Sequence, residues 1–421
     1  MAILADSLIG SPAVALLGCP AMALEITPVR GGADVRQFVD LPYRLHAGTP
    51  WIPPLKLERY VYLSRLLNPF FKHGEAQYFL ARRDGRVVGR ISAQIDRDFN
   101  EFHDHRWGLF GFLEFEDDQE IVDGLLAAAE GWLRERARDR MVGPMDFVIN
   151  EECGVLIEGF EFEPMIRQPW QPPYYRERLE AAGLVKAMDV FHWDLDVSDR
   201  EKNMQPILPK LAERSRVKYG ITIRRMSFVH FRRELDEFAK VYNAAWSRNW
   251  GFVPYSKEDL DSLALDYRLV YDRDWFMIAE NENGETIAMA ITIPDINQVY
   301  KKMRGRLLPL GWWYYLRRKR IMDRMRVGFL GVLPEYQHTG VAAALYLEHF
   351  DTAARTGLGH GEAGWILETN TSMNRGLEAM GGRINKRMRI YERVLEQGAE
   401  PAAPPDSVSR YVPASSEPAA D

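Results

Sequence analysis

Six consecutive residues, Gln337-His338-Thr339-Gly340-Val341-Ala342, have the types and spacing to hold a phosphate. They follow the apolar run Val327–Val332 and Pro334, and they open a stretch of helical periodicity from Val341 to Phe350. A tight glycine turn there leaves the first backbone N–H groups of the helix unpaired and aimed at one point, where the helix dipole favours negative charge. Gly340 lets the backbone approach an anion, and Ala342 keeps the first helical turn slim. An ordinary strand–turn–helix is the plainer account, but Q-x-x-G-x-A after V-L-P-E-Y is far more specific than a lone glycine pair. A second set of candidates lies in Trp365-Ile366-Leu367-Glu368-Thr369-Asn370-Thr371-Ser372-Met373-Asn374. Glu368 stands near the C-terminal end of an apolar strand, where a carboxylate needs a reason. It is either a general base for an attacking amine or the partner of the basic strand Lys386–Arg389.

The elements that must position these residues read as α/β, with one plan used twice. From Ile26 to about Asp194 come a helix (Val35–His46), strands Gln77–Arg82 and Arg86–Asp96 around the turn Asp84-Gly85, and a strand Trp107–Glu116. A helix Gln119–Arg138, a strand Gly143–Asn150, a helix Tyr174–Ala182 and a strand Lys186–Leu195 complete this half. His192 on that last strand reads as a core histidine. After a charged helical connector, Asp199–Tyr219, the second half repeats the order: strand Thr222–Met226, helix Arg232–Asn243, and strands Trp275–Asn281 and Thr286–Pro294 around Asn283-Gly284. The Gly340 motif follows, then a strand Gly364–Asn370, a helix Met373–Met380 and a strand Lys386–Val394.

A chain of 421 residues exceeds one small core and implies two domains plus tails. The 46% apolar content and 11 Trp require folded, buried material. A net charge of -6 argues against a general nucleic-acid binder. With only Cys19 and Cys153, neither a disulfide framework nor a cysteine zinc site is available, which fits a reducing cytoplasm, and no metal is expected. No run reaches the ~18 apolar residues of a membrane span. Residues 1–24 are apolar without Lys or Arg, so they are expected to be an N-terminal extension lacking the basic region of an export signal. The Pro/Ala/Ser-rich stretch 396–421 is expected to be disordered.

Residues 296–325 stand apart. Between Lys301 and Arg326 there are ten basic residues against one acid, Asp323, with Trp312-Trp313-Tyr314-Tyr315 between the basic clusters. This composition suits a helix lying on anionic lipid head groups. It would also serve to grip RNA by stacking and phosphate contact, or as a solvated basic face.

The motif and the element order resemble the GCN5-related N-acetyltransferase (GNAT) superfamily, whose members bind acyl-CoA through Q-x-x-G-x-A. The likeness implies a degenerate GNAT-like domain over 25–197 and an acyl-CoA-binding one over 198–395, with mixed central sheets flanked by helices. The first copy has Glu116-Asp117-Asp118-Gln119 where the cradle would be, and carboxylates there repel pyrophosphate. Acyl transfer needs a neutral amine, a polarised carbonyl, a stabilised oxyanion and a protonated leaving thiolate. By position in the family, Leu330, Gly331 and Val332 would supply backbone groups to the pantetheine and the acyl carbonyl. Asn370 would contact the pantetheine arm, and Asn374 would join it or serve as a helix-start residue. His338 would meet phosphate or solvent. Trp250, Phe252 and Asp295 fall where the family binds its acceptor. The tyrosine that often serves as general acid on the last helix is missing, and Tyr391 on the next strand replaces it or belongs to the core. The insert 296–325 is a second departure.

Ile26–Val394 is more closely similar to a bacterial tandem-GNAT group, through F-L-E-F-E-D-D, N-W-G-F-V-P, P-D-I-N-Q, L-G-V-L-P-E-Y-Q and W-I-L-E-T-N-T-x-M-N-R. That group resembles the bacterial ceramide synthases. The resemblance implies a long-chain acyl-CoA donor, a sphingoid base or other amine as acceptor, and an anionic membrane surface met through 301–326. The protein would then be cytoplasmic and peripheral on the inner membrane. Three alternatives remain open: a small-amine acetyltransferase, a non-catalytic acyl-CoA sensor, and an aminoacyl-tRNA-dependent transferase of the Fem type, which would not need the cradle.

Overall fold

The computed structural model describes residues 23–255, 259–261 and 272–413. The expectations for residues 1–22 and 414–421 lie outside this set. Thirteen strands are described: β1 (Glu25–Pro28), β2 (Gly74–Arg83), β3 (Arg86–Asp96), β4 (Trp107–Phe115), β5 (Arg140–Gly143), β6 (Val155–Glu158) and β7 (Val185–Asp196) in the first half. The second half has β8 (Thr222–Arg225), β9 (Phe276–Glu280), β10 (Thr286–Pro294), β11 (Arg324–Val332), β12 (His360–Leu367) and β13 (Arg383–Val394). The hairpins form where turn chemistry places them, with Asp84 and Gly85 both at positive φ (56° and 72°) between β2 and β3.

The strands join in one sheet, in the order β1-β2-β3-β4-β5-β13-β7-β12-β11-β10-β9-β8, with β6 paired to β13 off this path. The closing strands are exchanged between the halves. β13, the last strand of the second half, lies beside β5 with Tyr391 opposite Gly143. β7, the last strand of the first half, lies beside β12 with His360 opposite Asp196. The two exchanged strands then pair with each other, from Arg383 opposite Asp194 to Glu392 opposite Val185. The sheet runs through the boundary expected near 197.

Each half buries its own core between sheet and helices. Phe110, Phe115, Leu125 and Leu133 anchor the first, and Leu235, Phe276, Ala290 and Phe350 the second. A third core, with Val142, Met188, Val190, Leu367 and Met388, fills the junction. A buried polar cluster locks the junction as well. Lys386 Nζ on β13 lies 2.6 Å from Glu362 Oε1 on β12. Glu362 Oε2 also accepts from Gln168 at 2.8 Å, and Gln168 reaches His192 Nδ1 at 2.9 Å. His192 is thus a core residue, and burial holds its pKa well below the usual imidazole value.

Three segments differ from the sequence expectations. The strand expected over Gly143–Asn150 ends at Gly143, because Pro144 has no N–H for a ladder, and residues 144–154 form a loop pinned by a Met145–Cys153 bridge. The insert contains three short helices, Asn297–Met303, Gly311–Leu316 and Arg318–Ile321; Arg304 and Gly305, both at positive φ, end the first, and Pro309 precedes the second. Finally, part of the stretch expected to be disordered packs on the body: Ala402 and Tyr411 are buried. The Glu392 carboxylate accepts the backbone N–H groups of Ala402 (2.7 Å) and Ala403 (3.1 Å), so composition is overridden by a capped buried charge. No described helix is long and apolar enough to cross a membrane.

Candidate active site

β11 and β12 run parallel and pair only from Arg324 opposite His360 to Val327 opposite Ala363. Beyond that point they diverge. The outer edge of β11 stays bonded to β10, with a register shift at Gly328, between the Phe329 and Val327 pairings. The wedge leaves backbone groups of β11 facing open space, where an extended ligand can pair as a strand does. Leu330 lines this space. Gly331 lies so close beneath the Trp246 ring that any side chain would collide with it, and Val332 is buried.

At the open end of β11 the chain forms a 3-10 turn, Pro334–Thr339, and enters the helix Val341–Thr356. Gly340 links them with φ at 89°, a left-handed conformation in which other residues are strained, and Leu211 O packs where a Cβ would sit. Gly340 has no side chain to cap this helix, and Thr339 Oγ1 accepts only the Val341 N–H, at 3.4 Å, so the N–H groups that follow are left for an anion. Gln337 and His338 are exposed and Ala342 is half-buried, and none of residues 337–342 is part of the lining of the cavity described below. The buried Thr339 donates its hydroxyl to Tyr336 O at 2.6 Å, and Val341 is buried, so these two side chains build the turn.

The corresponding places in the first half are already filled. Asp118 caps its own helix, accepting Glu120 N–H at 2.9 Å, and pairs with Arg83; Asp117 pairs with Arg178, and Glu116 with Arg44 and Arg86. The wedge between β4 and β5 is closed by the loop 144–154. There Phe110 O accepts Met145 N–H and Asp146 Oδ1 accepts Phe112 N–H, both at 2.7 Å.

A single cavity of about 740 Å³ runs from the β11–β12 wedge into the first half. Its volume falls in the range of small-molecule sites. Phe329, Leu330, Tyr242 and Trp246 line the wedge end. Its middle is apolar, with Phe112, Phe147 and Phe252, and Leu57 and Val61, both well exposed, stand at its mouth. Ionic groups line it as well, Asp146, Glu151 and Glu152 with Arg59 and Arg90. Arg59 Nη1 lies 3.5 Å from Glu152 Oε1, and the Asp146 backbone N–H donates to Glu152 O at 2.8 Å. Burial first, then the Glu152 charge, pushes Asp146 up to about 8, and Glu152 is raised too. Among the described residues no group of three or more His, Cys, Asp or Glu is arranged to hold a metal.

The structure divides the residues singled out in the sequence. Trp250, Phe252 and Asn370 line the cavity, with Trp250 held by Nε1 donating to Ala402 O at 2.6 Å. Asn370 also caps the helix Thr371–Ala379 by accepting Met373 N–H at 3.1 Å. Four others are tied up in contacts of their own. Glu368 is outside the cavity lining, with Lys186 at 2.8 Å, Arg410 at 3.7 Å and Asp189 N–H at 3.2 Å, so its carboxylate is an interstrand clamp. Its partner is Lys186 rather than the strand Lys386–Arg389. Asn374 is fully buried, accepting Trp193 Nε1–H and donating to Leu367 O and Asn370 O, which leaves it no amide for a ligand. Tyr391 is buried in the first half's core, its hydroxyl 3.2 Å from Glu180, and burial raises its pKa. Asp295 is fully buried, accepts Ile166 and Asn297 N–H at 3.2 Å, and pairs with Arg324 at 3.1 Å. It ties the halves together, and burial pushes its pKa up to about 6. The ionic wall was missed because Met145–Ile149 reads as a strand; the available signal was a carboxylate, Asp146, inside an apolar run.

The chain matches no protein-family model. It is 35% identical over 384 residues to the bacterial ceramide synthase of Caulobacter vibrioides, covering 88% of this chain and 98% of that one. It is 34% identical over 369 residues to protein YghO of Escherichia coli, covering 86% and 93%. Among solved structures it superposes on a tandem GNAT protein from the clavulanic acid biosynthesis pathway, with a TM-score of 0.54 at 14% identity, covering 90% of this chain and all (100%) of that one. It also superposes on a GNAT protein from Sphaerobacter thermophilus, with a TM-score of 0.50 at 12% identity, covering 90% and 98%. At such identities the structural likeness speaks for the fold.

Proposed function

Given that this chain belongs to the bacterial ceramide synthase family, as 35% identity over 88% of its length establishes, we propose that it acylates the amine of a sphingoid base with a long-chain acyl group from CoA, giving a (dihydro)ceramide. The observation that carries this reading is the single cavity joining the β11–β12 wedge to an apolar channel and an ionic wall. A thioester laid in the wedge would put its pyrophosphate at the start of the helix Val341–Thr356 and its carbonyl against the β11 backbone near Leu330. The acyl chain and the acceptor's tail would both need apolar walls, and Phe112, Phe147, Phe252 and Phe329 supply them.

The insert supports a membrane role. Leu308, Leu310, Leu316, Trp312 and Trp313 are exposed, beside Arg317, Arg318, Lys319 and Arg320. Gly305 O accepts Lys56 N–H at 3.2 Å, which sets the insert against the helix Lys56–Leu63, whose Leu57 and Val61 stand at the cavity mouth. On this reading the protein is cytoplasmic and rests on an anionic inner-membrane surface, taking its lipid substrates from it.

The test is thiol release by the purified protein from palmitoyl-CoA or acetyl-CoA, with and without a sphingoid base. Base-dependent release from palmitoyl-CoA is expected. Release from acetyl-CoA alone would replace the proposal with small-amine acetylation, and CoA binding without turnover would replace it with a sensor.

A further inference from the structure

We infer that Asp146 and Glu152 hold the acceptor's ammonium group in the cavity and take a proton from it, so that the first half supplies the base for chemistry performed in the second. The inference rests on the acyltransferase reading above and adds the proton acceptor that reading lacks, since Glu368 is occupied by Lys186.

The two groups share one cavity with the wedge where the thioester would lie. Both carboxylates line the cavity that also contains Phe329 and Leu330. The loop that carries them touches the wedge through one residue: Asn150 Oδ1 accepts the Tyr242 hydroxyl at 3.1 Å, and the Tyr242 ring lies 6.0 Å from that of Phe329. The loop is fixed by Tyr62, which donates to Asp146 O at 3.0 Å, and by the Phe112 N–H on Asp146 Oδ1.

An independent observation points to what binds there. Arg90 lines the same cavity and is nine-tenths buried, yet its Nε has no hydrogen-bond acceptor among the described residues. Its Nη1 donates to Phe38 O at 2.7 Å and its Nη2 lies 3.7 Å from Glu114. Buried guanidinium N–H groups normally find an acceptor, so a ligand oxygen is the missing partner. Carboxylates for an amine, an N–H for a neighbouring oxygen and aromatic walls for a chain together describe a primary amine beside a hydroxyl or carbonyl on an apolar tail.

The charges around the pair set its proton count. Arg59 and Glu58 face it from the helix Lys56–Leu63, Arg90 from β3 and Glu114 from β4. Glu151 adds a negative charge from the same loop and pairs with Arg167 at 3.3 Å, and Arg326 of β11 acts on the adjoining Cys153. Tyr62 and Cys153 are both held neutral by burial. Burial and their mutual repulsion raise both carboxylates, so they titrate as one unit, and the loss of its first proton leaves one negative charge. The charge attracts the ammonium. One N–H bond then breaks and its proton passes to the carboxylate. The freed lone pair forms the C–N bond at the thioester carbonyl, the C–S bond breaks, and a second proton from nitrogen goes to the leaving thiolate. The pair returns its proton to water at the cavity mouth, leaving amide, free thiol and one proton in solution.

The test compares the full chain with Asp146→Asn and Glu152→Gln, using palmitoyl-CoA and a sphingoid base. Asn keeps an oxygen for the Phe112 N–H. Each variant is expected to lower kcat about 100-fold or more while calorimetric affinity for CoA is unchanged. Removing one carboxylate removes the second, repelled ionisation of the pair, so that upper ionisation is expected to vanish from the pH profile of kcat/KM, a change that a purely structural role would not give. If Asp146→Asn does not fold, Glu152→Gln alone decides. Variants that turn over within about threefold of the wild type, with the same pH profile, would overturn the inference and leave the acyltransferase reading intact. A wild type without turnover would overturn both.

Discussion

Lys186 Nζ lies 2.8 Å from Glu368 Oε2, an ion pair that fastens β7 to the turn beyond β12. Because Glu368 is outside the cavity lining, Glu368→Gln is expected to leave kcat within about twofold. It should reduce stability by about 1–2 kcal/mol, at the low end for a charged hydrogen bond because Lys186 is partly exposed. Paired turnover and urea-denaturation measurements check this, and a large loss of kcat in a stable protein would restore a catalytic role.

Gly340 is required twice, by its φ of 89° and by the contact with Leu211 O. Gly340→Glu adds backbone strain of about 1–3 kcal/mol and places a negative charge at the helix entrance. Calorimetry with CoA is expected to show no measurable binding. Gly284→Ala, at a remote turn with φ of 76°, should lose stability alone and bind CoA normally.

Four adjacent cations, Arg317, Arg318, Lys319 and Arg320, flank the exposed Trp312 and Trp313. Neutralising all four should weaken binding to anionic vesicles by up to ~4 kcal/mol, at about 1 kcal/mol each near the surface. Co-sedimentation at fixed salt measures it. Undiminished binding would remove the insert from the membrane contact.

Asp295 sits at about 6, above the ordinary carboxyl value, so the folded protein holds this proton more tightly than the unfolded chain does. Its contribution to stability is therefore fully present below about pH 4 and is lost as pH rises through about 6. Asp295→Asn should flatten the stability–pH curve over that window, read by chemical denaturation at a series of pH values. An unchanged slope would show that Arg324 keeps the carboxylate charged throughout.

Much of the second half was legible because its signals are local. Gly340 between an apolar strand and a helical period, and Asn283-Gly284 between two strands, depend on neighbours in sequence, and each is found where it was expected. Glu368, Asn374, Tyr391 and Asp295 differ from expectation because their partners, Lys186, Trp193, Glu180 and the Ile166 N–H, are fixed by tertiary pairing across the junction. The Asp146–Glu152 wall was hidden for a related reason. An apolar run with one carboxylate has the pattern of a strand, and only Pro144 and the occupied β4–β5 wedge turn it into a loop facing the cavity.

The exchanged closing strands also set a timetable for synthesis. Tyr391 pairs with Gly143, 248 positions earlier (391 − 143), so the first half's sheet has no closing strand until nearly the whole chain has left the ribosome. At roughly 5–20 residues per second this is a delay of about 10–50 s. Throughout it the inner edge of β5 lacks its native partner, a natural point for chaperone capture and for mispairing with a neighbouring nascent chain.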